Sequence, residues 1–63
     1  MVGTYVIDLN FGTAYKVTHV YAVVNSDYTR GTEYELERVV DKSTRTVDQR
    51  TFNKCYKVLG KLN

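Results

Sequence analysis

Residues 14–24 read AYKVTHVYAVV, and this stretch decides the fold because β-branched and aromatic side chains, which favour strands, predominate in it. Alternation along a strand places five side chains on one face, namely Tyr15, Val17, His19, Tyr21 and Val23. The opposite face changes from polar at Lys16 and Thr18 to apolar beyond them. The sequence therefore predicts a long strand whose second half is bent or buried on both faces.

Three other segments have strand patterns, at residues 2–9, 32–40 and 45–47. In the first, Tyr5, Ile7 and Leu9 share one face, and most tyrosines of the sheet are expected to pack into the core. In the second, Tyr34 and Leu36 alternate with glutamates. The intervening residues 10–13, 25–31 and 41–44 are rich in the residue types of turns. These patterns predict a meander of antiparallel strands.

Beyond residue 48 the apolar residues recur at intervals of three and four, as on one face of a helix: Phe52, Cys55, Tyr56 and Leu59. Asp48 is placed to act as the N-cap, and Val47 and Phe52 have the spacing of a hydrophobic staple. Gly60 stands where a glycine ends a helix. We therefore expect a helix over residues 49–59. The alternative is a strand, which would place lysines on both of its faces.

Together these elements predict an α+β fold: an antiparallel three- to four-stranded meander with one C-terminal helix across its apolar face. The alternative is a small SH3-like β-barrel in which the last segment is a strand or a short helical turn. A chain of 63 residues has room for one hydrophobic core. We therefore expect a single compact domain over residues 1–63.

Composition narrows the classes of function. One cysteine allows no internal disulfide, and with one histidine it cannot complete a zinc site. His19 and Cys55 both fall on faces predicted for the core, so they are expected to pack rather than to react. A cofactor cleft needs walls that so short a chain cannot build. We expect no metal, no cofactor and no enzymatic activity.

The sequence also predicts the cellular compartment of the protein. The longest apolar run, residues 20–24, is too short to cross a bilayer. The first residues contain no basic segment followed by an apolar stretch, as a secretory signal would. With a single thiol, these features predict a cytoplasmic protein that has no membrane partner.

The net charge of +2 conceals an uneven distribution: residues 1–41 carry three basic and six acidic side chains, whereas residues 42–63 carry six basic and one acidic. On the predicted helix, four basic residues would form a continuous stripe, which we call the basic stripe: Arg50, Lys54, Lys57 and Lys61. Lys42 and Arg45 precede the helix and extend it. A basic stripe suits phosphates or an acidic protein surface. The alternative is a solvated outer face.

An acidic ridge is predicted on the third strand, at Glu33, Glu35 and Glu37. Like charges on one strand face repel each other unless cations lie opposite, and Lys16 on the neighbouring strand is the nearest such cation. The ridge is therefore either solvated and locally paired, or a contact for a basic partner such as a second copy of the chain.

Tyr28 and Arg30 form the candidate binding loop. They lie in the polar segment 25–31, outside the faces predicted for the core. An aromatic ring beside a guanidinium group can stack on a base or anchor a protein contact. The alternative is a loop that only connects two strands.

Residues 31–36 (GTEYEL) and 51–56 (TFNKCY) are similar in style to segments of short bacteriophage proteins of SH3-like or α+β type. The whole chain, free of proline and rich in Tyr, Thr and Val, resembles the small accessory proteins that bacteriophages encode. This resemblance implies a protein that works by binding and blocking, often against a host enzyme or defence system. It assigns no functional residue.

We therefore expect a non-enzymatic binding protein of phage origin that inhibits or sequesters a host protein in the host cytoplasm. The first alternative is binding of nucleic acid or a nucleotide through the basic stripe, assisted by Tyr28 and Arg30. The second is a structural or assembly subunit in which the acidic ridge and the basic stripe associate head to tail in a homo-oligomer. Added salt separates the first two, because phosphate binding weakens steeply with salt.

Overall fold

The computed structural model describes the backbone of residues 2–61 and the side chains of residues 2–60. The elements are β1 (Thr4–Asp8), β2 (Ala14–Val24), β3 (Arg30–Arg38), β4 (Thr44–Asp48), α1 (Gln49–Cys55) and β5 (Tyr56–Lys61). The described chain is mostly β, with a short helix between its last two strands.

The strands form one antiparallel sheet in the order β4-β3-β2-β1-β5. Strands β1 to β4 are neighbours in sequence order, as in the predicted meander, and β2 has the predicted bounds. The short strand predicted at residues 45–47 lies within β4. β3 begins and ends two residues earlier than predicted, because Val39 and Val40 belong to the following turn.

The helix predicted over residues 49–59 is wrong beyond Cys55. The backbone at Tyr56 is extended, with φ −126° and ψ 142°, and β5 pairs with β1. This pairing gives partners to the backbone groups on the side of β1 away from β2, which a longer helix would leave unpaired. Gly60 does not end a helix; it has φ 133° and lies beside the register shift between β5 and β1. The sheet therefore has five strands instead of three or four.

The start of α1 is as predicted. Asp48 Oδ1 accepts a hydrogen bond from Thr51 N at 2.7 Å, as an N-cap does. This bond lowers the pKa of the Asp48 carboxyl below its ordinary value. Val47 packs against the core cluster that contains Phe52, as the predicted staple requires.

The core lies on the sheet face covered by α1. Its buried residues are Val6, Tyr15, Val17, Tyr34, Leu36, Phe52 and Tyr56. The ring of Phe52 is stacked on that of Tyr34, with 4.1 Å between centroids. Tyr15 and Tyr56 meet edge to face, with centroids 5.7 Å apart. These aromatic contacts hold α1 and the start of β5 against the sheet.

The face of β1 predicted for the core is the outer one. The buried side chains of β1 are Thr4, Val6 and Asp8. Tyr5 and Ile7 are half-buried on the opposite face. A carboxylate can be buried at Asp8 because it accepts hydrogen bonds from the amides of Asn10, at 2.7 Å, and Phe11, at 3.3 Å.

The alternation of side chains along β2 shifts by one residue at Thr18. Val17 and His19 lie opposite consecutive residues of β3, so Thr18 is an extra residue and the register shifts, as in a β-bulge. Beyond the bulge, Val20 instead of His19 shares the face of Val17. The prediction that His19 and Tyr21 face the core is therefore wrong, and the second half of β2 is exposed instead of buried on both faces.

Candidate functional site

The bulge in β2 gathers four polar residues on the sheet face away from α1. Thr18 Oγ1 donates to Glu35 Oε1 at 2.9 Å. His19 Nδ1 lies 3.1 Å from the same oxygen, and the hydroxyl of Tyr21 donates to Glu35 Oε2 at 3.2 Å. The rings of His19 and Tyr21 are stacked, with centroids 5.8 Å apart. We call Thr18, His19, Tyr21 and Glu35 the bulge cluster.

These contacts favour the ionised form of Glu35. The hydrogen bond from Thr18 is the largest cause that lowers the pKa of the Glu35 carboxyl, and His19 and Tyr21 add to it. Partial desolvation, followed by the bond to Glu35, raises the pKa of Tyr21. The carboxylate orients the His19 ring, whose side chain is 61% exposed. Cys55 packs against the core on the other side of the sheet, so the bulge cluster contains no thiol.

The acidic ridge lies on one face of β3, as predicted. Its middle member, Glu35, is paired locally within the bulge cluster. Lys16 is opposite Glu37 in register, but among the residues with described side chains these two form no ion pair. Glu33 is opposite Asp48 of β4, which adds a further acidic group at this end of the ridge.

The basic stripe is not continuous, because the helix that would have carried it ends at Cys55. Arg50 and Lys54 are exposed on α1. Lys57 is on β5 opposite Ile7, on the sheet face away from α1. The side chain of Lys61 lies outside the described residues. The basic groups that the sequence placed on one helix face are thus divided between two sides of the molecule.

Arg45 does not extend the basic stripe, because its guanidinium is bound to tyrosine hydroxyls at the edge of the core. Its guanidinium donates to the hydroxyl of Tyr56 at 3.1 Å and to that of Tyr15 at 3.4 Å. It also lies over the ring of Tyr15, 5.8 Å from the centroid. The bond to Tyr56 is the largest cause of the raised pKa of Arg45. Arg45 therefore satisfies two tyrosine hydroxyls at the edge of the core.

Tyr28 and Arg30 are exposed at the tip of the β2–β3 hairpin, as predicted. Asn25 N donates to Thr29 O at 2.8 Å, and Tyr28 N donates to Asn25 O at 2.9 Å. Tyr28 has φ 66° and is 89% exposed, so a hydrogen-bonded loop holds its ring out in solvent. The hydrogen-bonded loop therefore presents Tyr28 as a single exposed aromatic side chain.

An apolar surface lies at the opposite end of the sheet, on the turns that follow β1 and β3. Phe11 and Val40 are each 84% exposed, and Leu9 and Val39 are also exposed. Val39 N donates to Ala14 O at 3.1 Å, which connects the turn after β3 to the first residue of β2. Val39 and Val40 line a cleft of about 420 Å³ with Thr13 and Ala14. We call Leu9, Phe11, Val39 and Val40 the turn patch.

Hydrogen bonds fix both turns. In each, the amide of the last strand residue donates to the carbonyl five residues later, at 2.8 Å from Asp8 and 2.7 Å from Arg38. An aspartate braces each turn: Asp8 accepts from Asn10 and Phe11 as described above, and Asp41 accepts from Ser43 N at 3.1 Å. The bonds to Ser43 lower the pKa of the Asp41 carboxyl. The apolar side chains are thus displayed by turns of defined shape.

Sequence reasoning did not identify the turn patch. The sequence pattern predicts an ordinary turn at residues 10–13 and a strand that ends with Val39 and Val40. The available signal was Phe11, because turn positions favour Gly, Asn, Asp and Ser, and a large aromatic side chain there has no local role. Two adjacent valines immediately before Asp41 were a second signal of the same kind.

Comparison with known protein families, with curated proteins and with solved structures found no match to this chain. No helix in the described part of the chain has the length and apolar character needed to span a membrane. Within residues 2–60, no group of three or more His, Cys, Asp and Glu side chains is arranged to hold a metal ion.

Proposed function

We propose that the chain is a non-enzymatic binding protein that inhibits or sequesters a protein target through the turn patch. The supporting observation is the display of four apolar side chains by two hydrogen-bonded turns at one end of the sheet. Exposed apolar side chains clustered at one end of a sheet are typical of protein contacts. A pre-formed patch also loses little conformational freedom on binding, which favours affinity.

The patch specifies the chemistry of its partner. The cleft between Ala14 and Val40 is apolar and has the size to accept one or two apolar side chains. Lys42, in the same turn as Val40, forms no ion pair among the residues with described side chains. The partner surface that fits is an apolar protrusion with a neighbouring acidic group.

The resemblance to bacteriophage accessory proteins supports a host protein as the target and the host cytoplasm as the place of action. Proteins of that kind act by occupying a surface of their target. The turn patch is a surface suited to this role, because it needs no cofactor or catalytic group.

We also propose that the sheet has the fold of a small SH3-like barrel. Two features support it over an open α+β sandwich: the strand order β4-β3-β2-β1-β5 and the short helix before the last strand. α1 contacts β3, β4 and β5, so it connects the two outer strands of the sheet. This arrangement leaves the turns at one end free for contacts.

The test is affinity capture from a nuclease-treated bacterial lysate with a matched pair of variants. Phe11→Lys changes the turn patch, and Tyr28→Lys changes an equally exposed aromatic residue at the other end of the sheet. We expect wild type and Tyr28→Lys to retain the same protein at raised salt, and Phe11→Lys to lose it. Circular dichroism checks that both variants fold, and the retained protein is then assayed for inhibition by added wild-type chain.

Two results would contradict this proposal. Loss of capture with Tyr28→Lys alone would assign binding to the predicted loop of Tyr28 and Arg30. Capture that requires nucleic acid, weakens with salt and is removed by Lys54→Glu with Lys57→Glu would support the nucleic-acid alternative.

A further inference from the structure

The second half of β2 has an open edge. β1 pairs with β2 only at Ala14, Tyr15 and Lys16, and Gly3 N donates to Val17 O at 2.8 Å. From Thr18 onwards, β3 is the only strand that pairs with β2 in the described chain. Residues 20–24 therefore form an edge strand, which we call the arm edge.

The arm edge directs free backbone groups into solvent. Asn25 N donates to Thr29 O at 2.8 Å, so this pair closes the ladder between β2 and β3. In an antiparallel ladder, hydrogen-bonding groups of successive residues point alternately to one side and the other. Counting back from Asn25, the N–H and C=O groups of Val20, Ala22 and Val24 point away from β3. They form a row that can pair with another strand.

The arm edge lacks the charged side chains that the other sheet edges carry. Charges on an edge strand oppose pairing with another strand. β4 carries Arg45 and Asp48, and β5 carries Lys57. Residues 20–24 (VYAVV) contain no charge and no proline, and Val24 is 70% exposed. Such an edge is suited to strand addition.

We propose that the arm edge pairs with the arm edge of a second copy of this chain, forming a two-fold symmetric dimer with a sheet continuous across both subunits. Antiparallel pairing centred on Ala22 brings together residues whose backbone groups both face the edge: Ala22 with Ala22, and Val20 with Val24 of the second copy. The same contacts occur twice about the symmetry axis, as in an isologous interface. This dimer closes, unlike the head-to-tail association of acidic ridge and basic stripe.

Side chains support a second copy as the occupant. In this register Tyr21 lies beside Val23 of the second copy and His19 beside its Asn25, so no like charges face each other. Val20 and Val24, both exposed in the single chain, cover each other on the α1 side. The sequence of the arm edge is thus complementary to itself. A short strand pair buries less than about 1,200 Å², the range of weak, transient interfaces, so we expect a dimer that dissociates on dilution.

The first experiment measures mass by sedimentation equilibrium over a range of chain concentrations. We expect the mass to rise from 7.3 kDa towards twice that value with concentration. Val24→Lys should weaken association at least about tenfold, because a charge is placed in the interface twice. Val40→Lys is the matched control, since it changes an exposed valine of the turn patch. A purely monomeric wild type would overturn the proposal, as would a dimer lost with Val40→Lys and kept with Val24→Lys.

The second experiment tests the register. Ala22→Cys and Val40→Cys are each made in a Cys55→Ser background, so any cost of removing the native thiol is shared. A hydrogen-bonded antiparallel pair has Cα atoms about 5.5 Å apart, within the range that a disulfide spans. We expect Ala22→Cys to form cross-linked dimers on mild oxidation much faster than Val40→Cys. Equal rates would overturn the assigned pairing.

Amide hydrogen exchange provides an independent measurement on the wild-type chain. The amides of Val20, Ala22 and Val24 should exchange quickly at low concentration and more slowly as the concentration rises. A rise in protection confined to other residues would place self-association elsewhere. Failure of capture by the turn patch would leave this result unchanged, since the turn patch lies on the turns that follow β1 and β3, whereas the arm edge lies in the second half of β2.

Discussion

The two halves of β2 belong to one strand but have opposite surroundings. Tyr15 and Val17 are 3% and 0% exposed, whereas Tyr21 and Val24 are 41% and 70% exposed. The first half lies between β1 and β3 and contributes to the core beneath α1. The second half extends beyond β1 and has β3 as its only described neighbour. Burial in this small protein is therefore determined by which neighbouring elements reach a residue, and not by how apolar its own segment is.

Removal of the aromatic ring that covers the sheet should have the largest effect on the packed half. Phe52 is 4% exposed and stacks on Tyr34, which lies opposite Val20 at the limit of the covered region. We expect Phe52→Ala to lower the free energy of unfolding by about 3–5 kcal/mol. Lys54→Ala, on the exposed side of the same helix, should cost less than about 1 kcal/mol. Urea denaturation measures both, and equal losses would show that α1 does not cover the core.

The same substitution in each half of β2 compares them directly. Val17→Ala removes two buried methyl groups and should cost about 2–3 kcal/mol, from lost burial and the resulting cavity. Val24→Ala should change the free energy of unfolding by less than about 0.5 kcal/mol in the monomer. Both values come from denaturation at a concentration below self-association. A large loss at Val24 would mean that the arm edge is covered in the folded monomer.

The contrast also explains which parts of the fold could be predicted from the sequence. β2, the alternation in β3 and the cap at Asp48 depend on local patterns, and they were confirmed. The end of α1 was not predictable in this way, because residues 56–61 fit a helical face as well as a strand, and pairing with β1 decides between them. The face of His19 depends on one inserted residue, Thr18, which alternation alone cannot reveal.

The site could be predicted only in part for a related reason. Tyr28 is exposed in the loop and Arg30 at the first position of β3, and their polar neighbours in sequence already indicate this exposure. The predicted basic stripe required a helix that continues beyond Cys55. Because α1 ends there, the stripe is not continuous. The turn patch joins residues far apart in sequence, and its existence depends on β1 and β3 ending at the same side of the sheet.

Backbone strain in the two turns at the turn-patch end of the sheet should affect stability less than the core substitutions do. Lys42 has φ 60° in the turn after β3, where Gly12 has φ 69° in the equivalent turn after β1. Side chains with Cβ are disfavoured there, so Lys42→Gly should stabilise the chain by about 0.5–1 kcal/mol. Gly12→Lys should destabilise it by a similar amount, since a Cβ at Gly12 meets no atom within 4 Å and only the backbone cost applies.

Tyr28, at the tip of the β2–β3 hairpin, provides the comparison for Lys42. It has φ 66°, so Tyr28→Gly relieves a similar strain. The tip can open locally without unfolding the core, and we expect a gain in global stability smaller than that of Lys42→Gly. Thermal unfolding of the variants measures these differences. A larger gain at Tyr28 would show that the tip of the β2–β3 hairpin and the core unfold together.

The smallest effect concerns the bulge cluster, where the two halves of β2 meet. The pKa of the Glu35 carboxyl is below its ordinary value of 4.5, chiefly because of the hydrogen bond from Thr18. A lowered pKa in the folded state means that the ionised carboxylate stabilises the fold above pH 4.5, and that this stabilisation is lost as the pH falls through the folded pKa. We expect Thr18→Val to raise the pKa of Glu35 and to make the chain less sensitive to acid. Thr46→Val is the matched control, because Thr46 lies opposite Glu35 on β4 and forms no hydrogen bond with it among the described side chains. NMR titration of the side-chain carboxyl carbon measures the pKa, and equal values in the two variants would show that the bulge does not hold Thr18 against Glu35.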